Sequence, residues 1–157
     1  MINIRDKLSK IQAELKVEKS SFNSFGKYNF RKAEDILEAL KPFNLKYGVT
    51  FTVSEKLDQV GNLPVLFSTA SIIDVETGDA IHADAIVGVD LNQKGMQVPQ
   101  QFGSASSYGK KYALGNLLLI DDTKDSDATN SHGRDFKKQV GNLERTLGDS
   151  KGTDLGF

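Results

Sequence analysis

The sequence predicts an α+β domain in which a three-stranded antiparallel meander packs on a long helix, with two helices before it and a disordered acidic tail after it. Three observations predict it. Apolar residues recur at helical spacing over residues 2–17 and again over about 32–47. The period then drops to two in three successive runs, 49–60, 63–75 and 80–90, rich in Val, Ile, Phe and Thr. The helical period returns over Pro99–Ile120, and beyond it the composition turns polar and acidic. With 157 residues and 38% apolar content, this makes one core-bearing domain, residues 1–122, and a flexible tail, residues 123–157.

In the first helix, Ile4, Leu8, Ile11 and Leu15 fall at intervals of four, three and four. Such a stripe covers the domain's own core or docks on a neighbouring subunit, and both need the same pattern. Residues 18–32, E-K-S-S-F-N-S-F-G-K-Y-N-F-R-K, read as a loop from their Ser, Asn and Gly content. Phe22, Phe25, Tyr28 and Phe30 interleave there with Lys19, Lys27, Arg31 and Lys32. Aromatic faces stacked on bases, beside cations that track phosphates, hold single strands without reading sequence. Aromatics also anchor loops to cores, and two of these four are expected to do so. Tyr28, with its polar end, is the best candidate for a wet, stacking role.

The second helix shows Ala33, Ile36, Leu37, Leu40 and Phe43 on one face. Pro42 is expected to kink or restart it, and Gly48 to close it. Gly61-Asn62 and Glu76-Thr77-Gly78-Asp79 are hairpin signals between the three strands. Val49, Phe51 and Val53 share one face of the first strand, and His82 and Asp84 point the same way on the third. Residues 91–98, L-N-Q-K-G-M-Q-V, form a loop that brings Lys94 towards the long helix and is expected to be mobile until a ligand binds.

On a wheel of about 100° per residue, the long helix puts Phe102, Ala105, Gly109, Ala113, Leu117 and Ile120 on one small, apolar side. Ser104, Ser107 and Lys111 fall opposite, with Tyr108 beside them and Lys110 at the flank. Between Pro99 and Ile120 there is no acidic residue, whereas a solvated helix face normally mixes in Glu and Asp. Such a strip is either a plain wet face or one that offers positive charge to phosphates and a ring to a base. A phosphate-binding P-loop is excluded by count. Its second Gly would stand where Tyr108 stands, and the Ser or Thr after its Lys where Lys111 stands.

Formal net charge is −1, but the charges are segregated. Residues 16–32 carry Lys16, Lys19, Lys27, Arg31 and Lys32 against Glu18 alone; residues 121–127 carry Asp121, Asp122, Asp125 and Asp127 against Lys124. A basic groove is compatible with that distribution. The absence of Cys excludes disulfides and thiolate metal sites. The two histidines, His82 and His132, stand on a strand and in a polar tail, so no metal site or other cofactor is expected. Neither a signal peptide nor a membrane span is expected.

The run P-Q-Q-F-G-S-A-S-S-Y-G-K-K-Y-A-L, followed by I-D-D, resembles the signature helix of the Erf (essential recombination function) family of phage single-strand annealing proteins. The upstream run Y-N-F-R-K-A-E-D-I-L-E-A-L-K-P and the strand ending D-V-E-T-G-D are similar to that family too, so the likeness covers about residues 1–125. One departure is Gly109-Lys110-Lys111, where the family commonly has a small residue followed by one or two arginines. Lys keeps the charge and loses planar, bidentate phosphate recognition.

The resemblance implies a ring- or filament-forming homo-oligomer in the cytoplasm of a bacterial host that anneals single-stranded DNA without ATP and is not an enzyme. The DNA-binding residues would be Lys27, Tyr28, Arg31, Lys32, Lys94, Ser104, Ser107, Tyr108, Lys110 and Lys111. Two other readings remain open: a metal-dependent nuclease using Asp121, Asp122 and a strand acid such as Asp84, and an interaction module whose acidic tail mimics nucleic acid. The Asp-rich run reads more simply as solvated linker charge. Residues 134–147 have apolar residues at helical spacing, interrupted by Gly141, and predict a short, marginal helix. The chain ends in Asp154-Leu155-Gly156-Phe157, which resembles the partner-docking tips of bacterial single-strand binding proteins without their usual Pro. The tail is therefore expected to recruit a host or phage protein.

Overall fold

Asn3 opens the first helix: its Oδ1 accepts from the backbone N–H of Arg5 and of Asp6, both at 3.0 Å. The computed structural model describes residues 2–120. In chain order these form α1 (Ile4–Glu14), β1 (Ser21–Asn23), β2 (Tyr28–Phe30), α2 (Ala33–Tyr47), β3 (Val49–Val60), β4 (Leu63–Asp74), β5 (Ala80–Gly88) and α3 (Val98–Leu118). The architecture is α+β, with three helices and two antiparallel sheets, one of order β1-β2 and one of order β3-β4-β5. The acidic tail, the boundary expected after residue 122 and the short helix expected over 134–147 lie outside the described residues.

The meander forms where the period of two predicts it. β3 pairs with β4 from Val49↔Asp74 to Val60↔Leu63, joined by the two-residue turn at Gly61, whose φ is 60°. β4 pairs with β5 from Val65↔Gly88 to Ile73↔Ala80. Val49, Phe51 and Val53 all turn towards the helices, as expected. On the other face His82 and Asp84 stand two apart on β5, where Ser71 Oγ lies 2.7 Å from His82 Nδ1 and Thr69 Oγ1 donates to Asp84 at 2.6 Å.

The α1 stripe resolves one open alternative. Ile4, Leu8, Ile11 and Leu15 are all buried within this chain, in a cluster with Ile36 and Leu40 of α2, Val49, Ala70 and Ile72 of the sheet, and Ala113, Leu114, Leu117 and Leu118 of α3. The stripe covers the domain's own core. Burying four such side chains stabilises the fold by roughly 1.5–3 kcal/mol each before entropy is counted.

Two expectations need correcting. Residues 18–32 are not simply a loop, because β1 and β2 pair there in the register Ser21↔Phe30, Phe22↔Asn29 and Asn23↔Tyr28. Three-residue strands are too short for alternation to show in a sequence. Pro42 does not restart α2, which runs from Ala33 to Tyr47 as one element. A proline costs the helix one N–H···O=C bond. Here it stands on the exposed side, where water can take the orphaned carbonyl. Gly48 closes the helix as expected, with φ 62° in the left-handed region.

Candidate nucleic-acid interface

α3 is fastened across all three strands of the meander. Ser106 Oγ donates to Glu55 Oε2 on β3 at 2.9 Å, and Asn116 Nδ2 donates to the Asp84 carbonyl on β5 at 2.8 Å. Between them Gly109 lies directly on Ser68 of β4; a Cβ at position 109 would come within 2.2 Å of Ser68 Oγ. Only glycine allows that approach. Two clusters follow from it. The N-terminal half of the helix, through Ala105 and Phe102, packs on Leu66, Val87 and Val89, and the C-terminal half joins the main core.

The halves differ in what covers their far side. Leu114 and Leu118 are fully buried in the cluster that contains residues of α1 and α2. Lys111 shares their face, three and seven residues earlier, and is only 9% exposed. The helical wheel placed it on a wet strip with Ser104 and Ser107, and this is corrected: a wheel shows one packed face, whereas this helix has two over its last turns. Ser104 and Lys110 are half-buried, and Ser107 is exposed with its Oγ donating back to the Gly103 carbonyl at 3.1 Å.

What the helix does present is a pair of rings. Tyr108 and Tyr112, 50% and 43% exposed, stack at 6.0 Å between centroids with 30° between planes. Lys111 Nζ sits 5.9 Å from the Tyr112 ring centroid. Sequence reasoning named Tyr108 and missed Tyr112, although the spacing of four was there to be read. It also missed Gln101. That side chain is buried, and its Nε2 lies 3.3 Å from each of the Leu91, Gln93 and Met96 carbonyls. Gln101 thus ties the loop carrying exposed Lys94 to α3.

The remaining expected residues stand on and beside the β1–β2 hairpin. Lys27 and Lys32 are exposed. Lys32 caps α2, its backbone N–H donating to Asp35 Oδ2 at 2.8 Å. Arg31 is 8% exposed, and its Nε donates to the Val17 carbonyl at 3.3 Å, so it is built into the scaffold. Tyr28 is half-buried and its hydroxyl accepts from Asn23 Nδ2 at 3.1 Å. The expected residues therefore fall into two groups on separate elements, the hairpin with the start of α2, and α3 from Ser104 to Lys111 with its preceding loop. Among the described residues no three His, Asp or Glu side chains gather to hold a metal ion, and no helix is long and apolar enough to cross a membrane.

The profile of the ERF superfamily matches residues 4–146 of this sequence. The chain belongs to that family. It is also 41% identical over 121 residues to the essential recombination function protein of Salmonella phage P22, a match that covers 77% of this chain and 57% of that protein. The chain therefore spans little more than half the length of that curated relative. No solved structure matches it. The family match reaches past Asp122, where the last of the three resembling blocks ends.

Proposed function

We propose that the chain binds single-stranded DNA and anneals complementary strands in phage homologous recombination, without nucleotide hydrolysis. One observation carries this reading: the acid-free helix α3 presents the stacked Tyr108–Tyr112 pair, both rings about half exposed, at its surface. Ring faces take bases of any sequence, and the exposed lysines of the hairpin, the start of α2 and the loop before α3 take the phosphates in this reading. Membership of the ERF superfamily supports the reading, as does the printed name of the phage P22 relative.

In this account Lys27, Lys32, Lys94 and Lys110 neutralise phosphates at the surface, and Arg31 and Lys111 add positive charge from within. Ser104 and Ser107 line the strip, and Tyr108, Tyr112 and the hairpin aromatics support bases. Counterion release supplies much of the affinity. Base pairing with a second strand supplies the specificity, so the protein itself has no bond to make or break.

The chain works as a ring or filament of identical subunits in this reading. β3 and β5 are both edge strands, 12 and 9 residues long, and edges of that length are ready templates for a further chain. The α1 stripe is spent inside the subunit and leaves the contact to other surfaces. The tail, with Asp154-Leu155-Gly156-Phe157 at its end, recruits a protein and not DNA.

Fluorescence anisotropy of labelled single-stranded DNA over a salt series tests the binding. The expected result is sequence-independent affinity that falls steeply with salt and survives deletion of residues 121–157. Loss of binding on that deletion would move the activity to the tail, and absence of binding by the folded full chain would overturn the reading.

A further inference from the structure

The β1–β2 hairpin holds two rings out in solvent, one of them entirely. Phe25, at its tip, is 100% exposed, and Phe22, paired across the strands with Asn29, is 62% exposed. A fully exposed phenylalanine contributes no burial to the fold, yet the turn that carries it is braced from every side. Asn23 Oδ1 accepts from the backbone N–H of Phe25 at 3.0 Å and of Gly26 at 2.9 Å. Asn23 Nδ2 donates to the Tyr28 hydroxyl at 3.1 Å. The Tyr28 ring lies over Gly26, where a Cβ would come within 2.3 Å of Tyr28 Cε1, so the position admits only glycine without a shift of the ring. Lys27 takes a φ of 53°, in the left-handed region, to complete the turn. Tyr28 also meets Phe30 edge-on at 6.2 Å.

The hydroxyl and the ring of Tyr28 are thus both engaged inside the hairpin, and of the two rings outside, Phe22 lies along β1 while Phe25 stands fully exposed at the tip. We propose that Phe25 is the base-stacking residue of this hairpin, and that Asn23, Gly26 and Tyr28 are positioning residues that hold it out. The inference rests on the single-strand reading above and moves the stacking role expected of Tyr28 to Phe25. Charge favours a nucleic acid over a protein as the occupant. From Lys19 to Lys32 the sequence carries no carboxylate, and Lys27 beside the tip and Lys32 at the foot of the hairpin are exposed, a setting that attracts phosphates beside a stacked base.

The chain contains no Trp, so Phe25→Trp introduces a single indole whose emission reports on that position alone. The test titrates wild type, Phe25→Trp, Phe25→Ala and Tyr28→Phe with oligothymidine, with circular dichroism as the check on folding. Phe25→Ala is expected to weaken binding by roughly 5- to 150-fold, the range of one lost base stack, with the salt slope unchanged because no phosphate contact is lost. Phe25→Trp is expected to bind as tightly as wild type, with its emission quenched on binding. Tyr28→Phe is expected to lose less than Phe25→Ala, because its ring still covers Gly26.

Unchanged indole emission, with wild type binding the DNA, overturns the role of Phe25 and leaves the proposed function standing. So does normal binding by a Phe25→Ala protein that no longer self-associates, which would make the tip a contact between subunits. If wild type itself does not bind the DNA, the proposed function fails, and this inference with it.

Discussion

Lys7 Nζ lies 2.8 Å from Asp74 Oδ2, an ion pair that joins α1 to the end of β4 where the Asp74 side chain is 2% exposed. The second carboxylate oxygen accepts from the backbone N–H of Glu76 and Thr77, so one side chain closes the β4–β5 turn and fixes the first helix over the sheet. The Lys7 ammonium, bonded to the carboxylate, holds the Asp74 carboxyl below its ordinary value, with help from the two backbone donors.

A group depressed in this way stabilises the fold above its unfolded-state pKa, and that stabilisation is lost as pH falls through the lower, folded value. Thermal stability is therefore expected to hold from neutral pH down to the ordinary carboxylate range and to drop below it. Asp74→Asn is expected to be less stable at neutral pH and to show a shallower acid drop. Melting curves over a pH series check this, and equal acid slopes in the two proteins would refute it.

Gly109 and Ser68 make a second coupled pair. Gly109→Ala is expected to destabilise the fold by about 1–3 kcal/mol, since the added methyl meets a buried hydroxyl at the closest approach of helix to sheet. Ser68 Oγ is buried without a hydrogen-bond partner, so Ser68→Ala is expected to be neutral or stabilising. The double variant should recover part of the loss, a coupling of roughly 0.5–3 kcal/mol in a denaturant cycle. Additive effects would mean that the helix simply lifts away.

Lys110 and Lys111 are adjacent in sequence and are expected to behave differently. Lys110→Ala should lower the salt slope of single-strand binding by roughly 0.7 and leave stability almost untouched. Lys111→Ala removes a buried stem and should cost roughly 0.5–3 kcal/mol of stability. Separate denaturation and salt titrations of the two variants distinguish them. Equal stabilities would mean that Lys111 is solvated in solution after all.

The three long strands, their turns and the sheet-facing side of α3 were legible because burial on one face writes a period into the sequence. The hairpin was not, because three residues are too few to alternate and its register is set by Asn23, Gly26 and Lys27 acting together. Lys111 was misplaced for a different reason. Leu114 and Leu118 stand beside it on the wheel and mark a second buried face, which the run of small residues on the first face overshadows. The division between Tyr28 and Phe25 was beyond the sequence as well. Four aromatics among cations read alike until a fold shows that one ring is packed over Gly26 and another is in water.

The central claim is that this chain anneals single strands without an energy source. Two complementary oligonucleotides carrying a donor and an acceptor dye, mixed with the full chain in buffer with magnesium and no nucleotide, test it most directly. The account predicts pairing faster than the spontaneous rate, slowed by salt, with both strands recovered at full length. Pairing at the spontaneous rate by a folded protein, or shortened strands, would contradict it.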